Sequence, residues 1–152
     1  MQFLNNYSNR ELNIWAELIL SILVSFYFFP KIFPLIINDQ LYSEALVDIV
    51  ITSIIIAIIY SIFVFGAINT LTKREEKDER DYIYELKSYR ISNIIFHVSI
   101  YLLISLIVFN PISQVSLNEF TAPMIAMILP IITLLSSIGK CLTQLFNYRK
   151  NI

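Results

Sequence analysis

Residues 45–71 read ALVDIVITSIIIAIIYSIFVFGAINTL, and Asp48 is the only charged side chain in this run. About 20 apolar residues in an α-helix cross the roughly 30 Å of hydrocarbon in a bilayer. The many β-branched residues would favour strands in water, but the run is too long for a strand and lacks the alternation of a transmembrane barrel. A helix also satisfies every backbone polar group within the segment, as lipid requires. The stretch therefore predicts a transmembrane helix.

Three further apolar stretches accompany this one. The first covers residues 12–29 and could continue past Pro30 to Ile37, the third covers 91–109, and the fourth covers 123–146. The chain has 152 residues, of which 57% are hydrophobic, and a soluble domain of that size would leave much of this apolar surface in water. We therefore predict an all-α membrane protein, a single four-transmembrane-helix bundle whose main partner is the lipid bilayer.

The lysines and arginines are distributed unevenly about the four predicted spans. Ten of the eleven fall on one side, and only Lys31 falls on the other. Positively charged residues near span ends favour the cytoplasmic side. The pattern predicts a multi-pass protein of the cell inner (cytoplasmic) membrane, with both termini and the connection 72–90 in the cytoplasm.

Helix start signals add one detail to the third helix. A Ser/Thr followed three residues later by Glu can form a capping box, in which side chains and backbone donors satisfy each other. The pattern occurs at Ser8–Glu11, Thr72–Glu75 and Ser116–Glu119. The cap at Thr72 predicts that the third helix begins well before the membrane, with residues 73–90 forming a cytosolic extension of about 27 Å.

The charges of this extension balance, with six basic and six acidic residues in 73–90. A lipid-binding basic patch needs a surplus of positive charge, and so does a nucleic-acid-binding surface. The segment therefore favours a solvated helical stalk, and no nucleic-acid partner is expected.

A short motif lies inside this segment. Asp78-Glu79-Arg80-Asp81 is followed by a spaced series of charged and small residues: Glu85, Lys87, Ser88, Arg90 and Ser92. The pattern resembles an uncharacterised prokaryotic family of small four-span membrane proteins, which carry a D-E-R-D motif before the third span. The resemblance implies the four-span fold and the membrane location, and it implies no activity.

The motif suggests an interaction surface made by residues 78–90. The planar guanidinium of Arg80 can hold a carboxylate with two hydrogen bonds, so two copies of the helix could exchange such pairs in a homodimer. Ser88, Ser92 and Ser99 would then allow close helix packing in lipid. The alternative is that the motif tethers the C-terminal tail of its own chain.

Asp48 lies near the outer end of the second predicted span, and three other ionisable residues lie within the spans toward the cytoplasmic side: Glu17, His97 and Lys140. Such groups are costly in a bilayer, usually face the bundle interior and often mark a functional site. A Glu17–Lys140 or Glu17–His97 contact would lower the cost by pairing. The other two interpretations are side chains that reach interfacial water and a polar path for transport.

The sequence predicts no enzyme and no cofactor. Cys141 and His97 are the single cysteine and histidine, so neither a disulfide nor the usual cysteine or histidine metal sites can be built within the chain. No phosphate-binding glycine loop, zinc-protease motif or nucleophile elbow is present.

Three functions remain open from the sequence. The first is binding, as a homodimer or through another protein's membrane segment. The second is a small-solute or proton-coupled transporter or channel with Glu17, His97 and Lys140 along its path. The third is an immunity protein that neutralises a pore-forming toxin by helix–helix contact.

Overall fold

The computed structural model describes residues 9–38, 44–71, 78–109 and 122–150, and their regular structure is entirely helical. The helices are α1 (Asn9–Ile37), α2 (Glu44–Leu71), α3 (Glu79–Phe109) and α4 (Ala122–Lys150). Each is long and apolar enough to cross a membrane, which confirms the predicted set of four. The caps predicted at Ser8, Thr72 and Ser116 lie outside the described residues.

The observed helices differ from the predicted spans mainly at their ends. α1 continues through Pro30 and Pro34 to Ile37, and α4 extends to Lys150. The predicted extension of the third helix is helical from Glu79 onward, continuous with the apolar part of α3. Residues 73–77 of that extension lie outside the described part of the chain.

One turn of α2 departs from α-helical geometry. The helix is α-helical over Glu44–Tyr60, π-helical over Ser61–Phe65 and α-helical again over Gly66–Leu71. A π-helical turn takes up extra chain and rotates the residues that follow it. Just before this turn, the Tyr60 hydroxyl donates a hydrogen bond of 3.0 Å to the Ala16 carbonyl, which ties α2 to α1.

The helices pack in the order α2–α1–α4–α3 in the described residues, because α4 contacts both α1 and α3 while α1 also contacts α2. Two apolar clusters fill the α1–α2 and α1–α4 contacts. One contains Phe28, Ile32, Leu35, Leu46, Ile49 and Met127, and the other contains Ile14, Leu18, Cys141 and Leu145. α3 therefore occupies an edge of the bundle and is the least buried helix.

Small side chains let α3 approach α4 closely. Ser88 is completely buried, and a Cβ atom on Gly139 would collide with the side chain of Ile95. One turn beyond Ser88, the Ser136 hydroxyl donates to the Ser92 carbonyl at 3.1 Å. The single hydroxyl proton of Ser136 is used in this bond. Ser92 Oγ is therefore the donor in the second bond, to Ser136 Oγ at 2.7 Å.

Replacing Ser88 by leucine tests this close packing. A larger side chain in a filled contact forces neighbours to shift, so we expect Ser88→Leu to lower the free energy of unfolding by about 1–3 kcal/mol. Ser105 is exposed on the same helix, and Ser105→Leu should change that free energy by less than about 0.5 kcal/mol. Unfolding in mixed micelles, followed by the fluorescence of the single tryptophan Trp15, measures both. Equal effects of the two substitutions would contradict the packing.

Candidate functional site

Glu17 of α1 and Lys140 of α4 form a direct ion pair. The Lys140 ammonium donates to both Glu17 carboxylate oxygens, at 2.6 and 2.8 Å. Their side chains are 32% and 17% exposed, so the charges are largely withdrawn from solvent and depend on each other. Lys140 Nζ also lies 5.1 Å from the ring centroid of Tyr89 on α3. The structure thus brings together two of the three ionisable residues singled out in the sequence.

The D-E-R-D motif starts α3 through a reciprocal cap. The Asp81 backbone N–H donates to Asp78 Oδ1 at 2.8 Å, and the Asp78 backbone N–H donates to Asp81 Oδ2 at 3.0 Å. These two bonds satisfy backbone donors that a helix leaves without intrahelical partners at its start. The motif's two aspartates therefore fix where α3 begins.

The Asp81 carboxylate also joins α3 to two other helices. It forms an ion pair with Arg10 of α1 and accepts a hydrogen bond of 2.6 Å from the Tyr148 hydroxyl of α4. The Tyr148 ring packs edge-on against Tyr84, with centroids 5.2 Å apart. Since Arg10 and Asp81 are 18% and 16% exposed, this junction is mostly shielded from solvent. Asp81 is the residue that ties the motif to the C-terminal part of the chain.

A polar cavity of about 220 Å³ lies between the Glu17–Lys140 pair and the Asp81 junction. All four helices line it, through Arg10, Asn13, Ile14, Glu17, Phe65, Asp81, Glu85, Tyr89, Lys140, Gln144 and Tyr148. Three carboxylates face two cations, so the lining has a slight negative excess. The described residues contain no cluster of three or more histidine, cysteine or carboxylate side chains suited to a metal ion. The cavity can hold water or a small polar solute.

Arg80 does not join the Asp81 junction. Its guanidinium contacts Asp78, the residue just before α3, at 3.2–3.3 Å, and the two side chains are 75% and 50% exposed. Such an exposed pair contributes little to stability. The exchange of Arg80–carboxylate pairs between two copies stays a prediction, whereas the contact with the C-terminal part of α4 is made by the neighbouring Asp81.

The remaining motif residues divide between two sides of α3. Ser88 and Ser92 face α4, and Ser99 lies on the same face by helical periodicity. Glu85 lines the polar cavity. Glu79, Lys87 and Arg90 are exposed. The small residues thus serve helix packing within one chain, while the two basic residues point away from the bundle.

His97 is separated from Glu17 and Lys140. It follows Ser88 by nine residues, or two and a half helical turns, and therefore lies on the opposite face of α3. Asn93 and Tyr101 lie one turn before and one turn after it, and all three side chains are exposed. We call Asn93, His97 and Tyr101 the outer stripe. It places three polar side chains on the unpacked face of an otherwise apolar part of the helix.

The outer stripe has unused hydrogen-bonding capacity. His97 Nδ1 lies 2.7 Å from the Asn93 carbonyl oxygen, which can only accept, so Nδ1 carries the proton and Nε2 of a neutral ring is an open acceptor. The Asn93 amide and the Tyr101 hydroxyl make no hydrogen bond within the described chain. Ser105 differs, because its hydroxyl donates to the Tyr101 carbonyl at 2.8 Å. The stripe can therefore bond to a group from outside the chain.

Sequence reasoning missed several of these residues. Asp78 and Asp81 have the three-residue spacing of a capping box, and applying that pattern to Asp-x-x-Asp would have found the start of α3. The partners Arg10 and Tyr148 carry no local signal, since only the packing of three helices brings them to Asp81. The spacing of Asn93, His97 and Tyr101 was visible, but the face that α3 turns to α4 was not.

Alanine substitutions at the adjacent residues 80 and 81 test the junction. Asp81→Ala removes a helix cap and two charged contacts, so we expect the free energy of unfolding to fall by about 2–3 kcal/mol. Arg80→Ala removes one exposed pair and should cost less than about 1 kcal/mol. Trp15 reports the change, because it lies 5.5 Å from Arg149 near this end of α4. A larger loss from Arg80→Ala would contradict the assignment.

Comparison of the chain with protein-family models, with curated proteins and with solved structures finds no match. The resemblance to the D-E-R-D family therefore stays a prediction from the sequence motif.

Proposed function

We propose that the chain is a multi-pass protein of the bacterial inner membrane that acts by binding, and that it forms a homodimer through the outer stripe of α3. The excess of lysine and arginine at the end that carries Arg10, Asp81 and Lys140 supports a cytoplasmic location for that end. In this placement the first turns of α3 project into the cytoplasm. The exposed position of Asn93, His97 and Tyr101 is the observation that carries the proposal.

Exposed polar side chains are costly in lipid. A hydrocarbon solvent offers no hydrogen bonds to an amide, an imidazole or a phenol, so such groups are normally turned toward another helix. α3 does this with Ser88 and Ser92, which face α4. The outer stripe has no such neighbour in the described chain. A second helix laid along it would remove the cost.

A second copy of the chain can cover the outer stripe, because two-fold symmetry places each residue of the stripe opposite its counterpart. A carboxamide has both donors and an acceptor, so Asn93 can pair with Asn93 of another copy across a two-fold axis along the membrane normal. Both copies share one membrane orientation, which sets the two α3 helices parallel and their stripes at equal depth. Buried asparagine pairs fix partner and register in the same way in parallel helix dimers.

Asn93→Leu tests the dimer. Interhelical hydrogen bonds in lipid contribute about 1 kcal/mol, so losing the pair should weaken dimerisation about fivefold. Asn69 is exposed on α2, and Asn69→Leu is the matched control, which should leave dimerisation unchanged. The fraction of dimer is measured in lipid nanodiscs or vesicles as a function of the protein-to-lipid ratio.

Cysteine cross-linking checks the geometry separately. In a Cys141→Ala background, His97→Cys should form an oxidative cross-link between copies. In the proposed dimer, position 97 of one copy lies near position 97 of the other, close to the two-fold axis. Ile58→Cys, which is exposed on α2, should not. Unchanged dimerisation of Asn93→Leu together with no cross-link at position 97 would overturn the proposal.

Transport of a small solute is a second candidate, and the polar cavity beside Glu17 and Lys140 favours it. The proposed path would differ from the one expected from the sequence, since His97 lies on the outer face of α3. In this case the Glu17–Lys140 pair would open to admit a charged solute.

Flux measurements in proteoliposomes test this second candidate. If the cavity lies on a transport path, we expect Glu17→Gln to abolish pH-dependent flux. The substitution removes the ionisable carboxylate of the cavity that pairs with Lys140. Glu44→Gln removes an exposed carboxylate at the start of α2 and should leave the flux intact. Flux that is the same in wild type and in Glu17→Gln would exclude this role of Glu17.

A further inference from the structure

Two basic side chains on α3 have no acidic partner among the residues that the structure describes. Lys87 and Arg90 are exposed, lie one turn apart and make no ion pair or hydrogen bond within the described chain. They line one surface groove of about 630 Å³ together with Ile83, Leu86, Tyr89, Asn93, Ile94 and His97. We call Lys87 and Arg90 the basic pair.

The four acidic residues that the structure describes in the same segment lie away from the basic pair. Asp78 contacts Arg80, Asp81 contacts Arg10 and Tyr148, and Glu85 lines the polar cavity on the side toward α4. Glu79 precedes Arg90 by eleven residues, which is about 16 Å along the helix. Among the residues that the structure describes, the basic pair is therefore a local surplus of positive charge.

The basic pair lies where the charged part of α3 meets its apolar part. Arg90 directly precedes the apolar run 91–109, and Tyr89 and Ile94 border the same groove. Aromatic and basic side chains are favoured at the level of lipid headgroups. A phosphate held there would have its acyl chains beside Ile94 and the apolar surface that follows.

We propose that Lys87 and Arg90 bind the phosphate of an anionic phospholipid at the cytoplasmic surface of the membrane. The guanidinium supplies paired donors that match phosphate oxygens, and the ammonium supplies a second positive charge one turn away. This site requires the membrane placement proposed above, but it does not require the dimer.

Native mass spectrometry of the full-length protein tests the site. Protein released from nanodiscs with equal amounts of phosphatidylglycerol and phosphatidylcholine should retain phosphatidylglycerol preferentially. Arg90→Gln should reduce that preference about fivefold, the effect expected for one basic residue near an anionic surface. Arg80→Gln removes the same charge from an exposed position on the same helix and is the matched control; it should retain the wild-type preference.

Three outcomes would overturn the proposal. They are equal retention of the two lipids by the wild type, equal losses from Arg80→Gln and Arg90→Gln, and loss of the preference when millimolar inorganic phosphate is added. The last would show that the pair binds free phosphate rather than lipid. Retention is read for monomer and dimer separately, so a failure of the dimer leaves the result on the lipid intact.

Discussion

The arrangement of this protein depends on α4, because its side chains meet the polar groups of both neighbouring helices. Lys140 pairs with Glu17, Ser137 bonds to Ser21 at 2.9 Å, Ser136 bonds to Ser92 at 2.7 Å, and Tyr148 bonds to Asp81 at 2.6 Å. In an apolar medium an unmet polar group costs several kcal/mol, and helices of similar apolarity gain little from the hydrophobic effect when they associate. Packing and hydrogen bonds then determine which helices lie next to each other. The polar side chains of α4 bond to α1 on one side and to α3 on the other, so α2 and α3 lie at the edges of the bundle.

The edge position of α3 gives its two faces different chemistry. The face toward α4 carries Ser88 and Ser92, which permit a close approach, while the opposite face carries the outer stripe and the basic pair. If two copies pair along the stripe, their Arg90 side chains come near each other, and like charges repel. An anionic headgroup at each basic pair would neutralise this repulsion. The two proposals therefore support each other physically, although each has its own test.

The four helices could be predicted from the sequence, since the length and apolarity of a segment are local properties that do not depend on how the helices pack. The sequence also narrowed the partners of Glu17 to two, because few ionisable groups occur at similar depth. The sequence could not predict which helix the residues of α3 pack against. Ser88 and Ser92 were expected to pack in a dimer, but they pack against α4 of the same chain. The D-E-R-D motif was interpreted through Arg80, while Asp81 makes the contacts between helices. A sequence motif gives the chemical groups that are present, and the packing of the helices determines which of them are in contact.

The balanced charge of residues 73–90 also says little about any one side of the helix. Six bases and six acids in residues 73–90 give no net charge, yet a helix distributes its side chains around a full circle, and a partner meets only one side. Asp81 pairs with Arg10 of α1, and Glu85 lines the polar cavity that Lys140 of α4 also lines. Lys87 and Arg90, two of the six bases, are exposed. Because Asp81 pairs with Arg10 of another helix, it does not neutralise Lys87 or Arg90, and a segment without net charge can still carry a positive surface on one side of α3.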